Sequence, residues 1–93
     1  MKAKFLVIIE KGENNYSAYS PDVPGCAATG KFVEDTLESI REALEFHFEG
    51  LLQNGDEIPE PKGLTFYLEK TSEISSDDIL AHIDIEVPEL TPA

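Results

Sequence analysis

The chain has 93 residues, 41% of them hydrophobic, and carries nineteen acidic against seven basic side chains for a formal net charge of −12. That length admits one domain, and no apolar run reaches the roughly 18 residues that a membrane-spanning helix needs. Such a charge repels nucleic-acid phosphates and anionic lipid and attracts a cationic partner, although an acidic surface also serves solubility alone.

Met1-Lys2-Ala3-Lys4 followed by Phe5 to Ile9 has the outline of a signal peptide, but the apolar run stops at Glu10-Lys11 with no small-residue cleavage site. Five consecutive apolar residues without polar alternation predict instead a central strand covered on both faces. Gly12-Glu13-Asn14-Asn15 is turn chemistry, because Gly and Asn tolerate the positive φ of tight hairpins. Tyr16 to Ser20 predicts a second strand, ended by Pro21-Asp22-Val23-Pro24-Gly25, where proline removes a ladder donor and glycine allows a sharp turn. Cys26 to Gly30 is a short third strand whose small side chains let a helix come close.

From Val33 onward Leu37, Ile40, Leu44, Phe48 and Leu51 recur at spacings of three and four, which is one helical stripe. Asn54-Gly55 provides a left-handed end, and Pro59 and Pro61 forbid continuation. No Ser, Thr, Asp or Asn immediately precedes Val33, so the start relies on Glu34 and Asp35 in the first turn. Leu64, Phe66 and Leu68 alternate with Thr65, Tyr67 and Glu69, which suggests a strand. Ser76 to Leu80 reads as a short helical turn capped by Ser76. His82 to Val87 alternates as a strand buried on one face, and Pro88 to Ala93 reads as a frayed tail.

The expected fold is α+β: a β-β-β-α-β two-layer sandwich, mostly antiparallel, with one long helix on one face. No second helix is expected, so the apolar far side of Phe5 to Ile9 predicts a homo-oligomer, a dimer or tetramer. The single cysteine, Cys26, has no internal disulfide partner and fits a reducing, cytoplasmic setting.

Three groups of residues are candidates for chemistry. Pro21, Pro24, Gly25 and Cys26 form a turn motif whose ordinary role is structural; a reactive thiolate needs nearby positive charge, and Lys31 is the only candidate close in sequence. Asp77 and Asp78, with Asp22 or Asp84, are the acids a magnesium-dependent nuclease would require, but no basic cluster accompanies them to bind phosphate. His47 and His82 have no paired-ligand spacing and read as a helix-flank and a solvent-facing residue. No catalytic residue, metal site or cofactor is assigned. The third group is the acidic helix face of Glu34, Glu38, Glu42, Glu45 and Glu49. Its like-charge pairs at i, i+4 each cost a few tenths of a kcal/mol or so. Either the face is simply solvated, or it is relieved by a docked cation.

The run from Tyr16 through Pro21-Asp22-Val23-Pro24-Gly25-Cys26, then Thr29-Gly30, a helix with Glu42-Ala43-Leu44, and the exit Ile58-Pro59-Glu60-Pro61 together resemble the HicB-like antitoxin family. The pattern covers about residues 4 to 61, is specific as a whole and weak piece by piece. The resemblance implies a partial ribonuclease-H-like fold and a partner, a small basic HicA-like toxin that cleaves mRNA and whose RNA-binding surface the antitoxin covers. On that basis residues 1–93 form a single domain, with 1–61 carrying the pattern and 62–93 a C-terminal strand region. Many relatives add a C-terminal DNA-binding module; after Pro88 no second helix pair or basic cluster follows, so direct nucleic-acid binding is not expected. Phe32 stands where the family usually has a capping hydroxyl or acid. The expected function is therefore masking of a basic toxin. A stand-alone oligomeric binding or regulatory module is the alternative, and a metal-dependent nuclease is the third option.

Overall fold

The computed structural model describes residues 2–70 and 74–87. Its elements are β1 (Lys2–Lys11), β2 (Tyr16–Tyr19), β3 (Ala27–Gly30), α1 (Val33–Gln53), α2 (Leu64–Lys70) and β4 (Ile79–Glu86). The strands form one sheet in the order β3-β2-β1-β4. Every pairing is antiparallel, so the apolar run of β1 lies inside the sheet, between β2 and β4.

Alternation across the strands sets the core. Phe5, Val7 and Ile9 of β1, Ala18 of β2, and Ile83 and Ile85 of β4 pack with Ile40, Leu44 and Phe48 of α1, and Val87 joins them. The Phe5 and Phe48 rings lie 5.2 Å apart, tilted by 45°. Leu6 and Ile8 point to the other face and are only 1% and 2% exposed. β1 is thus covered on both sides, as its unbroken apolar run predicts.

Local chemistry explains the helix limits. Phe32 is extended and contributes no side-chain cap. Thr36 donates its backbone N–H (3.0 Å), the first i→i−4 bond of the helix, and also its hydroxyl (2.8 Å) to the Phe32 carbonyl. At the other end Gly55 takes φ +78°. Gly55 N–H reaches the Leu52 carbonyl at 3.1 Å and Asp56 N–H reaches that of Leu51 at 2.8 Å, the paired bonds of a Schellman end. Gly30 faces the first turn of α1 so closely that a Cβ would sit 2.5 Å from Thr36 Oγ1 and 2.8 Å from its backbone nitrogen. The small residues of β3 do permit close approach.

Five expectations are corrected. Leu64 to Glu69 is not a strand: it lies within α2. Consequently the far face of the sheet does have a helical neighbour, and α2 side chains gather beside Ile8. Ser76 does not cap a helix. Ser75 organises a turn there, with Asp78 N–H on its carbonyl (3.1 Å), Asp77 N–H on its hydroxyl (3.2 Å) and its own N–H on Asp78 Oδ2 (2.8 Å). The segment then enters β4 at Ile79, three residues before the strand expected at His82. The 12–15 turn closes through Gly12 N–H on the Asn15 carbonyl (2.8 Å) without positive φ, because a four-residue connection does not need it. Pro88 to Ala93 lies outside the described residues.

Candidate functional site

The five candidate glutamates lie on α1, and at 3.6 residues per turn positions 34, 38, 42, 45 and 49 fall within an arc of about 80°. Glu34, Glu38, Glu42 and Glu49 are exposed. Glu45, half-buried, accepts a 3.0 Å hydrogen bond from Glu86 N–H and so ties the stripe to β4. Arg41 pairs with Glu38 at 3.0 Å. Six carboxylates and this one guanidinium leave α1 with five of the chain's twelve net negative charges. No basic residue occupies the last turn, where a cation would favour the helix dipole. Arg41 is the only cation on α1 to offset the mutual repulsion.

The Pro21-to-Cys26 turn packs Val23 and Cys26 into the core beneath α1 and also reaches the α2 side of the sheet. Val23 N–H bonds the Ser20 carbonyl at 3.0 Å and Cys26 N–H the Val23 carbonyl at 3.3 Å, while Gly25 adopts φ +85°. Cys26 is buried, and burial pushes its thiol pKa up, away from a reactive thiolate. Pro21, Pro24, Gly25 and Cys26 line a cleft of about 410 Å³ that Phe66 and Tyr67 of α2 help to wall.

Asp22 is the residue whose importance the sequence hides. It is 7% exposed, and its Oδ1 accepts from Lys62 N–H (3.1 Å) and from the Tyr67 hydroxyl (2.5 Å). One carboxylate therefore fastens α2 to the turn across more than forty residues of sequence. Burial, the hydrogen bond to Asp22 and the negative charge of Asp22 all raise the Tyr67 pKa. Folding thus favours protonated Tyr67: this stabilisation is complete below about pH 10, the ordinary tyrosine value, and is lost as the pH rises further. Tyr67→Phe is expected to flatten the alkaline decline in thermal midpoint; an unchanged decline would show that the contact does not matter.

The remaining acids do not converge. Asp78 is bound to Ser75, Asp84 sits opposite Lys4 in the sheet register, and Asp77 is exposed. Among the described residues no three His, Cys, Asp or Glu side chains are placed to share a metal ion, and no helix is long and apolar enough to cross a membrane. His47 is half-buried on α1 and His82 exposed on β4, as expected.

The profile described as "HicB_like antitoxin of bacterial toxin-antitoxin system" matches residues 5–93. The chain belongs to the HicB-like antitoxin family. A Helicobacter pylori UPF0150 protein is 36% identical over 72 residues, covering 77% of this chain and 89% of that protein. An uncharacterized 14.9 kDa protein from the rep-hol intergenic region of Haemophilus phage HP1 is 30% identical over 86 residues, 92% of this chain. The HicB-like chain spans 63% of that phage protein's length. Among solved structures, the N-terminal domain of the Burkholderia pseudomallei antitoxin HicB superposes with a TM-score of 0.79 at 22% identity, over 91% of this chain and all of that one. A chain of the HicA3 and HicB3 toxin-antitoxin complex superposes at 0.72 with 25% identity, over 94% of this chain and all of that one. The α+β fold with its four-stranded antiparallel sheet is therefore the antitoxin fold.

Proposed function

We propose that this chain binds a small basic HicA-like toxin and masks its RNA-binding surface, itself performing no catalysis. The carrying observation is the continuous acidic stripe of α1 on a chain of net charge −12, in a fold shared with a chain of a toxin-antitoxin complex. Carboxylates spaced along a rigid helix resemble a row of phosphates to a cationic surface. Complementary potential speeds encounter, selects a positively charged partner and fixes register. Glu34, Glu38, Glu42, Glu45 and Glu49 are the proposed contact residues. The setting is the cytoplasm, where an mRNA-cleaving toxin acts, and the chain makes no direct contact with nucleic acid.

Charge reversal of Glu38 and Glu42 is the test of the stripe. Against a basic HicA-like toxin, the double reversal is expected to slow association by about tenfold at low salt and to reduce the salt dependence. Unchanged affinity and salt dependence would remove this face from the interface.

Self-association into a dimer or tetramer remains part of the proposal, on different ground from the uncovered face first expected. β4 is an eight-residue strand at the edge of the sheet formed by the described residues, and an edge strand is a template for another strand. A clean monomer in sedimentation at micromolar concentration would count against it.

A further inference from the structure

Among the large hydrophobics of the described residues Phe46 is the most exposed, at 78%, in the middle of α1. Helical spacing places it one turn from Glu42 (i−4) and from Glu49 (i+3), on the margin of the acidic stripe. Its other one-turn neighbours are Ala43 and Gly50, which are too small to shield a ring. These three line a shallow depression of about 380 Å³ together with Cys26 and Ala27. Two other aromatic rings in the chain carry a lysine from their own surroundings: Lys31 lies 5.8 Å from the Phe32 centroid and Lys62 lies 5.0 Å from that of Phe66.

We infer that Phe46 is the specificity-determining anchor of the acidic face and that it receives an arginine side chain of the basic partner, stacked on the ring and paired with Glu42 or Glu49. The inference deepens the toxin-masking reading and rests on it. A guanidinium is flat and weakly hydrated, so it lies on an aromatic face while its edge donates to a carboxylate; a lysine ammonium is compact and strongly hydrated. Exposed aromatics surrounded by polar groups are also the side chains that dominate binding at protein interfaces. The carboxylates alone would accept either cation, and the ring supplies the discrimination.

Fluorescein-labelled nona-arginine and nona-lysine peptides, titrated at low salt into the full chain and followed by anisotropy, test this without the toxin. The wild type is expected to prefer nona-arginine by about twofold to fivefold, the range of an exposed cation–π contact. Phe46→Ala and Phe46→Leu should abolish that preference while retaining the salt-dependent attraction common to both peptides, and Phe46→Tyr should keep it. Because Phe46 is exposed, thermal midpoints should stay unchanged and serve as the folding control. Equal wild-type affinities, or a preference that survives Phe46→Ala or Phe46→Leu, would overturn the inference and leave toxin masking standing. Failure of the wild type to bind a HicA-like toxin would instead remove the reading on which it rests.

Discussion

Phe48→Ala is expected to lower the unfolding free energy by about 3–5 kcal/mol, the range for deleting a buried aromatic ring. Phe48 is fully buried at the centre of α1's apolar face, against Phe5 of the central strand. Its removal leaves a void between helix and sheet that neighbouring Ile40, Leu44 and Ile85 cannot fill without leaving their own contacts. For a domain of this size the thermal midpoint should fall by on the order of 15 °C or more. Leu68→Ala, at an exposed position of α2, should leave it unchanged. A loss below about 1 kcal/mol for Phe48→Ala would mean that α1 is not held to the sheet through this face.

Gly30→Ala is expected to be the most damaging single-methyl addition, costing about 1–3 kcal/mol. The new Cβ would meet Thr36 Oγ1 at 2.5 Å, Thr36 N at 2.8 Å and Thr36 Cα at 3.0 Å. Rotating the threonine hydroxyl relieves only the first of these contacts. The other two are backbone atoms, so β3 and the first turn of α1 must separate, which also strains the Thr36 bonds to the Phe32 carbonyl that open the helix. Thr36→Ala, which removes Oγ1, cannot fully rescue Gly30→Ala, because the two remaining contacts are with backbone atoms. Chemical denaturation of the two single variants and the double variant measures this; full rescue would place the clash in the side chain.

How much of this was legible before the structure depended on length and periodicity. α1 shows six apolar residues at helical spacing over five turns, enough to separate a period of 3.6 from a period of two. β1 and β4 were equally legible, one as an unbroken apolar run and the other as Ile83, Ile85 and Val87 in alternation. α2 was not. In seven residues Leu64, Phe66 and Leu68 satisfy alternation, while Leu64 and Leu68 also satisfy i, i+4, and no α2 residue is fully buried to break the tie. The misassignment mattered, because a strand there would leave the far face of β1 open and make a second subunit the natural cover.

The candidate site was legible in part. The acidic stripe follows directly from charges at three- and four-residue spacing, and the structural role of the Pro21-to-Cys26 turn follows from its prolines and glycine. Asp22 gave no such signal. A carboxylate between two turn residues is usually solvated, and its burial depends on Lys62 and Tyr67, which arrive from forty and forty-five residues away. Phe46 could have been noticed as the one aromatic outside the apolar stripe of α1, since residue 46 falls between Glu42 and Glu49 rather than on the line through Leu44 and Phe48.

The most direct measurement of toxin masking is RNA cleavage by the HicA-like toxin proposed as its partner, titrated with the purified chain. Cleavage should stop near one equivalent of antitoxin protomer per toxin and return when Glu38 and Glu42 are reversed in charge. Cleavage that continues at a large excess of the wild-type chain would contradict the account.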